Sequence, residues 1–193
     1  EMLGHIFENL LEDNKDKGAF YTPKEIVQYM CRQSVIQYLK THEPSEQYAE
    51  AIEQLINDGI VNPILQNKNI AIRFTRLLKE VKVCDPAIGS GAFPMGILQQ
   101  LVHILGRLVP DSVQWKEMMM NQAINETTEA FKSTTKEERQ ELIADIERNF
   151  DEGVNRPDYA RKLYLIENCI YGVDIQPIAI QISKLRFFIS LVV

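Results

Sequence analysis

The chain has 193 residues, enough to bury a real core, and its 27 acidic against 21 basic side chains leave a formal charge of -6. A surface with that balance is not built to wrap nucleic acid, so any basic groove for DNA must be supplied from elsewhere. No apolar run reaches the roughly 18 residues of a membrane-spanning helix and no signal peptide opens the chain, which points to the cytoplasm.

Residues 2–13 carry Leu3, Ile6, Phe7, Leu10 and Leu11 at helical spacing, and the polar run from Asp13 to Gly18 ends that helix. In Gly18-Ala-Phe-Tyr-Thr-Pro-Lys-Glu25, Thr22 can cap a second helix, Pro23 fits its first position and Glu25 completes a capping box. This helix is predicted to run to about Leu39, with Ile26, Met30, Cys31, Val35 and Tyr38 on its buried face. The pair Phe20-Tyr21 fits either a hydrophobic staple or a ligand contact, and the local pattern leaves both open. Tyr48, Ala51, Ile52, Leu55 and Ile56 form a third stripe closed by Asp58-Gly59 and a turn near Asn62-Pro63; Phe74, Leu77 and Leu78 mark a further short helix. Residues 1–80 are therefore read as a helical segment ahead of the sheet.

A sheet domain is predicted from residue 81 to 193. Val81, Val83 and Cys84 suit a buried strand, Asp85 stands at its carboxyl end, and Gly89 and Gly91 allow a ligand close to the backbone. Phe93, Ile97, Leu101 and Ile104 or Leu105 then follow at the 3.6-residue period of a helix laid on a sheet. Residues 107–160 read as an inserted helical hairpin, with a capping-box pattern at Thr135-Lys-Glu-Glu138, solvated charges, and Trp115 packed locally. Cys169-Ile-Tyr-Gly-Val-Asp174 repeats the order of strand, acid and helix, with Pro177 opening a helix whose apolar stripe is Ile178, Ile182, Leu185 and Ile189. Cys31, Cys84 and Cys169 lie far apart in apolar surroundings without the paired spacing of a metal site, and read as buried reduced thiols.

A ligand at these strand ends would lie at the usual site of an open α/β sheet. A dinucleotide would place its diphosphate on the glycine turn, beside Asp85. Two like charges about 4 Å apart at an effective dielectric of about 20 cost on the order of 4 kcal/mol, and the same acid would welcome an ammonium group. The third glycine of a dinucleotide loop is also missing, its place taken by Pro94. A ligand with a cationic amino end and an adenosine end fits: Asp85 and the Gly89–Gly91 backbone near the amino-acid part, Asp174 on the ribose hydroxyls, Ile175 against the adenine. S-adenosylmethionine has that form. A nucleophile elbow fails because Ile88 stands where glycine is needed, no Walker-type lysine follows the loop, and His5, His42 and His103 have no partner at ligand spacing.

Phe20-Tyr21-Thr22-Pro23, the run from Asp85 to Phe93 and the run from Tyr171 to Pro177 occur in that order. Together they closely resemble the cofactor-binding half of adenine-N6 DNA methyltransferases of the amino-group class, in particular the combined restriction and modification enzymes of the Eco57I type. The resemblance implies an α/β, Rossmann-like, S-adenosylmethionine-dependent methyltransferase fold, present in part. It implies that Phe20, Tyr21 and Thr22 close over the methionine part, and that Asp85, Ala87, Gly89 and Gly91 form the cofactor loop with Phe93 bracing it. Asp174 and Ile175 would hold the adenosine. In this family an Asn-Pro-Pro-Tyr or related motif transfers the methyl group to a flipped adenine of double-stranded DNA. That motif does not occur in this sequence, whose Asn62-Pro63 is followed by Ile64 ahead of the loop.

The chain opens at Glu1 and stops inside the apolar run Leu191-Val-Val193, so it reads as an excised part of a longer restriction-modification enzyme, inactive alone and lacking catalytic and target-recognition parts. A parallel sheet cut short exposes a strand edge through which the fragment would self-associate. The competing readings are a non-catalytic scaffold subunit that keeps the fold and, less favoured by Asp85, an NAD-dependent oxidoreductase.

Overall fold

The computed structural model describes residues 22–110, 114–121 and 157–192, with positions 135, 137, 138, 140, 141 and 144 between them. The helix predicted at 2–13, the pair Phe20-Tyr21 and most of the segment 107–160 lie outside the described residues.

Helix α1, Lys24–His42, exists because Val27, Cys31, Val35, Ile36 and Leu39 recur at three- and four-residue steps and bury together. It ends before Pro44, whose ring keeps Glu43 out of the helical region at φ -127°, ψ 73°. Helix α2, Glu46–Glu53, runs on into a π-helical turn, Gln54–Asp58, which Gly59 ends in the left-handed region at φ 69°. Asn62 starts a short 3₁₀ turn, Pro63–Gln66, its side chain accepting from Ile64 N at 3.1 Å. Asn67 caps α3, Lys68–Glu80, through Oδ1, which accepts from Asn69 N at 3.0 Å and Ile70 N at 3.4 Å. Tyr38 Oη donates to Leu77 O at 2.9 Å and ties α1 to α3.

Strand β1, Val83–Asp85, leads through a loop into α4, Ala92–Leu108. Helix α5, Pro157–Asn168, then precedes β2, Ile170–Gly172, and α6, Pro177–Val192, closes the described chain. The strands are parallel, with Val83 opposite Ile170, Cys84 opposite Tyr171 and Asp85 opposite Gly172. Parallel pairing requires a long crossover, and the chain from α4 to α5 supplies it. Helix α4 is the spine of the core: Ile97, Leu98, Leu101, Ile104 and Leu105 are buried where α1, α3 and α5 meet it. Gly96 sets how close α1 comes, since a Cβ there would lie 2.6 Å from Val27 Cγ1 and 3.0 Å from Cys31 Sγ.

Residues 114–121 are helical, and Trp115 is 1% exposed. Lys79 Nζ lies 5.6 Å and Arg161 Cζ 5.8 Å from its ring centroid, and Tyr164 meets it edge-on at 6.0 Å. Trp115 is thus buried against α3 and α5, and not packed within the insertion 107–160 as expected, because the cationic side chains of Lys79 and Arg161 and the Tyr164 ring enclose it. At Thr135, the backbone N–H donates to Glu138 Oε2 at 3.2 Å, the backward half of the anticipated capping box.

Several local expectations are corrected. The first residue of α1 is Lys24, so Pro23 takes the cap position in place of Thr22, and the cap makes no side-chain hydrogen bond. Ile26 and Met30 are 49% and 46% exposed, because the face that meets α4 runs through Val27 and Cys31, one residue further on. Ile178 and Leu185 are likewise exposed, while Ala179, Ile182 and Ser183 form the buried side of α6. Val81 is buried but ends α3, leaving β1 to start at Val83, and Cys84 is exposed beside Tyr171 on the same sheet face.

Candidate functional site

Because β1 and β2 run parallel and in register, their carboxyl ends lie side by side, with Asp85 opposite Gly172 and Asp174 two residues further along. Val173 N donates to Asp85 O at 2.9 Å, extending the ladder past the strands. The following loop is built from short-range bonds. Asp85 Oδ1 accepts from Ala87 N at 3.0 Å, an Asx turn that fixes the carboxylate's orientation while using one of its acceptor positions. Ile88 N donates to Val173 O at 2.9 Å and Gly91 N to Ile88 O at 2.8 Å.

Gly89 and Gly91 adopt φ 51° and 81°, which side chains rarely do. They differ in what surrounds them. A Cβ at Gly91 would lie 3.2 Å from Ser183 Cβ, whereas one at Gly89 would meet nothing nearer than Ala87 O at 4.0 Å. Gly91 is therefore needed for packing on α6, and the space over Gly89 is open.

Asp174 joins the halves of the site. Its Oδ2 accepts from Gly89 N at 2.9 Å and its Oδ1 from Gln176 N at 2.8 Å. Each carboxylate oxygen has a second lone pair, so Asp174 retains acceptor capacity. Next to it Ile175 is 95% exposed, an apolar side chain standing clear of the protein. The structure thus brings Asp85, Ala87, Gly89, Gly91, Asp174 and Ile175 to one end of the two strands. Phe93 is half-buried against the core below, and its carbonyl lies 3.7 Å from the Cys31 thiol. Thr22 stands exposed ahead of α1, and no hydrogen bond among the described residues joins it to the loop. Phe20 and Tyr21 lie outside the described residues.

Three features escaped the reading of the sequence. Gly172 packs face-on against Ile88, and a Cβ there would lie 2.1 Å from Ile88 Cδ1. Ser183 Oγ lies 3.1 Å from Gly89 O, and Arg186 Nη1 donates to Ser90 O at 2.7 Å and to Ser90 Oγ at 3.1 Å. A lone glycine within a strand pattern signals such a close approach, and was available as a clue to Gly172.

A separate polar groove of about 320 Å³ is lined by Gln28 and Arg32 of α1, Asn57 and Asp58 of the π turn, and Gln99 and His103 of α4. Burial, and then Arg107, hold His103 below its ordinary pKa, in keeping with Nε2 accepting from Arg107 Nε at 2.8 Å. We place the candidate site at the strand ends instead, because Asp85, Asp174, Gly89 and Gly91 converge there and none of the four lines the groove. Among the described residues no group of three His, Cys, Asp or Glu side chains is placed to hold a metal ion, and no helix is long and apolar enough to cross a membrane.

No protein-family model matches the chain, and no solved structure matches it. The whole chain is similar, at 26% identity over 205 aligned positions, to a protein of Methanocaldococcus jannaschii that carries the provisional name of type II restriction enzyme and methyltransferase. The chain spans 14% of that relative's length.

Proposed function

We propose that the chain is the S-adenosylmethionine-binding part of a restriction-modification methyltransferase, with the exocyclic amine of adenine in DNA as the methyl acceptor. The observation that carries this reading is the convergence of Asp85, the Gly89–Gly91 loop and Asp174 at the carboxyl ends of two parallel strands. The whole-length similarity to a protein named for restriction and methyl transfer supports the same enzyme class. Adenine and DNA enter from the resemblance of the three motifs, and so does the view that the sheet belongs to a Rossmann-like methyltransferase domain.

The residues present suit the cofactor. Open space over Gly89 admits a ligand against the backbone, Asp174 keeps lone pairs for ribose hydroxyls, and the bare Ile175 side chain offers an apolar surface for an adenine ring. Asp85 disfavours a diphosphate and favours an ammonium group. When bound, the cofactor supplies an activated methyl group. The chain's own residues would hold and orient it.

Titration calorimetry with S-adenosylmethionine tests the reading. Binding is expected, and Asp174→Ala should weaken it about tenfold or more; unchanged affinity in that variant would sink the role of this acid. Nucleoside mass spectrometry of duplex DNA treated with the intact enzyme should reveal N6-methyladenine, and methylated cytosine in its place would overturn the choice of base.

A further inference from the structure

The glycine loop is held from behind by the helix that follows the second acid. Its backbone amides and carbonyls face different partners. Gly89 N–H donates to Asp174, while Gly89 O and Ser90 O are approached by Ser183 Oγ and Arg186 Nη1 of α6. The hydroxyl of Ser183 has one proton, and Ala179 O, at 2.7 Å, lies closer to it than Gly89 O at 3.1 Å. Arg186 is the stronger tie, since one guanidinium nitrogen reaches both the carbonyl and the hydroxyl of Ser90, at 2.7 and 3.1 Å, and bonds from a charged donor are about twice as strong as neutral ones.

We propose that Arg186 is a positioning residue for the candidate cofactor site, fixing the peptide between Gly89 and Gly91 so that the loop presents its open side to the ligand. The proposal deepens the reading of the site as a cofactor loop and rests on it for the ligand's identity. A loop whose two glycines give it unusual conformational freedom needs an external tie to hold one shape. Ser90 sits between them, and Arg186 grips the carbonyl that a flip of the Ser90–Gly91 peptide would carry away. Helix α6 follows directly on Asp174 and Ile175, so the tie also couples the loop to the segment that would receive the adenosine.

Two readouts are needed, and the first requires no ligand. Hydrogen exchange followed by mass spectrometry should show Arg186→Ala raising exchange about tenfold or more in peptides covering 86–92, with peptides of α4 around Leu101–Leu105 unchanged. The same variant should bind S-adenosylmethionine about tenfold more weakly or worse. Arg186→Lys keeps the charge and a donor but loses the planar fork, and should fall between wild type and alanine in both. It also serves where the alanine variant fails to fold.

Unchanged exchange in the loop, or an equal rise in loop and α4, would overturn the proposal, the second because Arg186 would then support the fold generally. Loosened loop exchange with cofactor binding untouched would overturn it as well. If the wild-type protein binds no S-adenosylmethionine while loop exchange still rises in Arg186→Ala, the tie stands and the cofactor assignment falls.

Discussion

Gly172→Ala tests whether β2 and the glycine loop are packed as closely as the backbone suggests. Gly172 is not one of the glycines with positive φ, so alanine meets no backbone strain there. With room for a methyl group, such a replacement would stabilise the protein by about 0.4–1 kcal/mol, by restricting the unfolded chain. Here the new Cβ would lie 2.1, 3.0 and 3.1 Å from Cδ1, Cγ1 and Cβ of Ile88. A rotamer change moves the first two atoms and cannot move the third. Ile88 Cβ is fixed by a backbone that donates to Val173 O at 2.9 Å, so relief requires the loop itself to shift. Overpacking of this kind costs about 1–3 kcal/mol, which exceeds the entropic gain and makes the variant less stable. Urea unfolding followed by circular dichroism measures the sign directly. The double variant with Ile88→Ala, which removes Cγ1 and Cδ1, should be less destabilised than the sum of the single changes by about 1 kcal/mol or more. A stabilised Gly172→Ala protein, or strict additivity, would refute the close contact.

Two further outcomes follow from the cysteines. Cys84 is exposed while Cys31 and Cys169 are buried, so Ellman's reagent should label one thiol rapidly in the native protein and Cys84→Ser should remove that phase; two rapid thiols would contradict the burial of the others. Burial pushes the Cys31 thiol from 9.0 up to about 11, so its contribution to stability is complete below about pH 9 and is lost as pH rises to about 11. The loss is up to about 3 kcal/mol at about 1.4 kcal/mol per unit, and it should appear as a falling urea midpoint across that window. Cys169, also raised by burial, adds to the same decline, so the measurement that isolates Cys31 is the difference in slope between wild type and Cys31→Ala; equal slopes would refute it.

The residues legible in the sequence were those whose signal is local. Asp85 and Asp174 each close an apolar run, and Gly89 and Gly91 sit in a short turn between strand and helix, so a reading by period and spacing finds them. Ser183 and Arg186 act on backbone atoms 94 and 96 positions away, and nothing in their own neighbourhood names those partners. The errors on helix faces have a related cause. Around Val27 and Cys31 the apolar residues Ile26 and Met30 extend the stripe on one side, and the sequence does not say where the neighbouring helix will touch; Gly96, on a helix 65 positions or more downstream, decides it by letting α4 approach Val27 and Cys31. Cys84 was misread because a three-residue strand has one middle residue, and its face turned out to be the side shared with exposed Tyr171.

The double role of Asp174 governs how its alanine variant is interpreted. Both carboxylate oxygens accept backbone N–H bonds, one from Gly89 in the loop and one from Gln176 at the start of α6. Removing the carboxylate therefore deletes any ribose contact and also frees the Gly89 amide, while the ties from Arg186 and Ser183, the bond from Ile88 N to Val173 O and the loop's own turn stay in place. Weaker cofactor binding in Asp174→Ala can arise from either change. The two separate by where they act. A freed loop raises exchange at Gly89 in the absence of ligand, in wild-type comparison, whereas a lost ribose contact leaves that amide's neighbours in place and weakens only ligands that carry the two hydroxyls. Wild type should accordingly discriminate between S-adenosylmethionine and its 2′-deoxy analogue, and Asp174→Ala should not. That loss of discrimination would assign the acid to the ligand over and above its part in closing the loop.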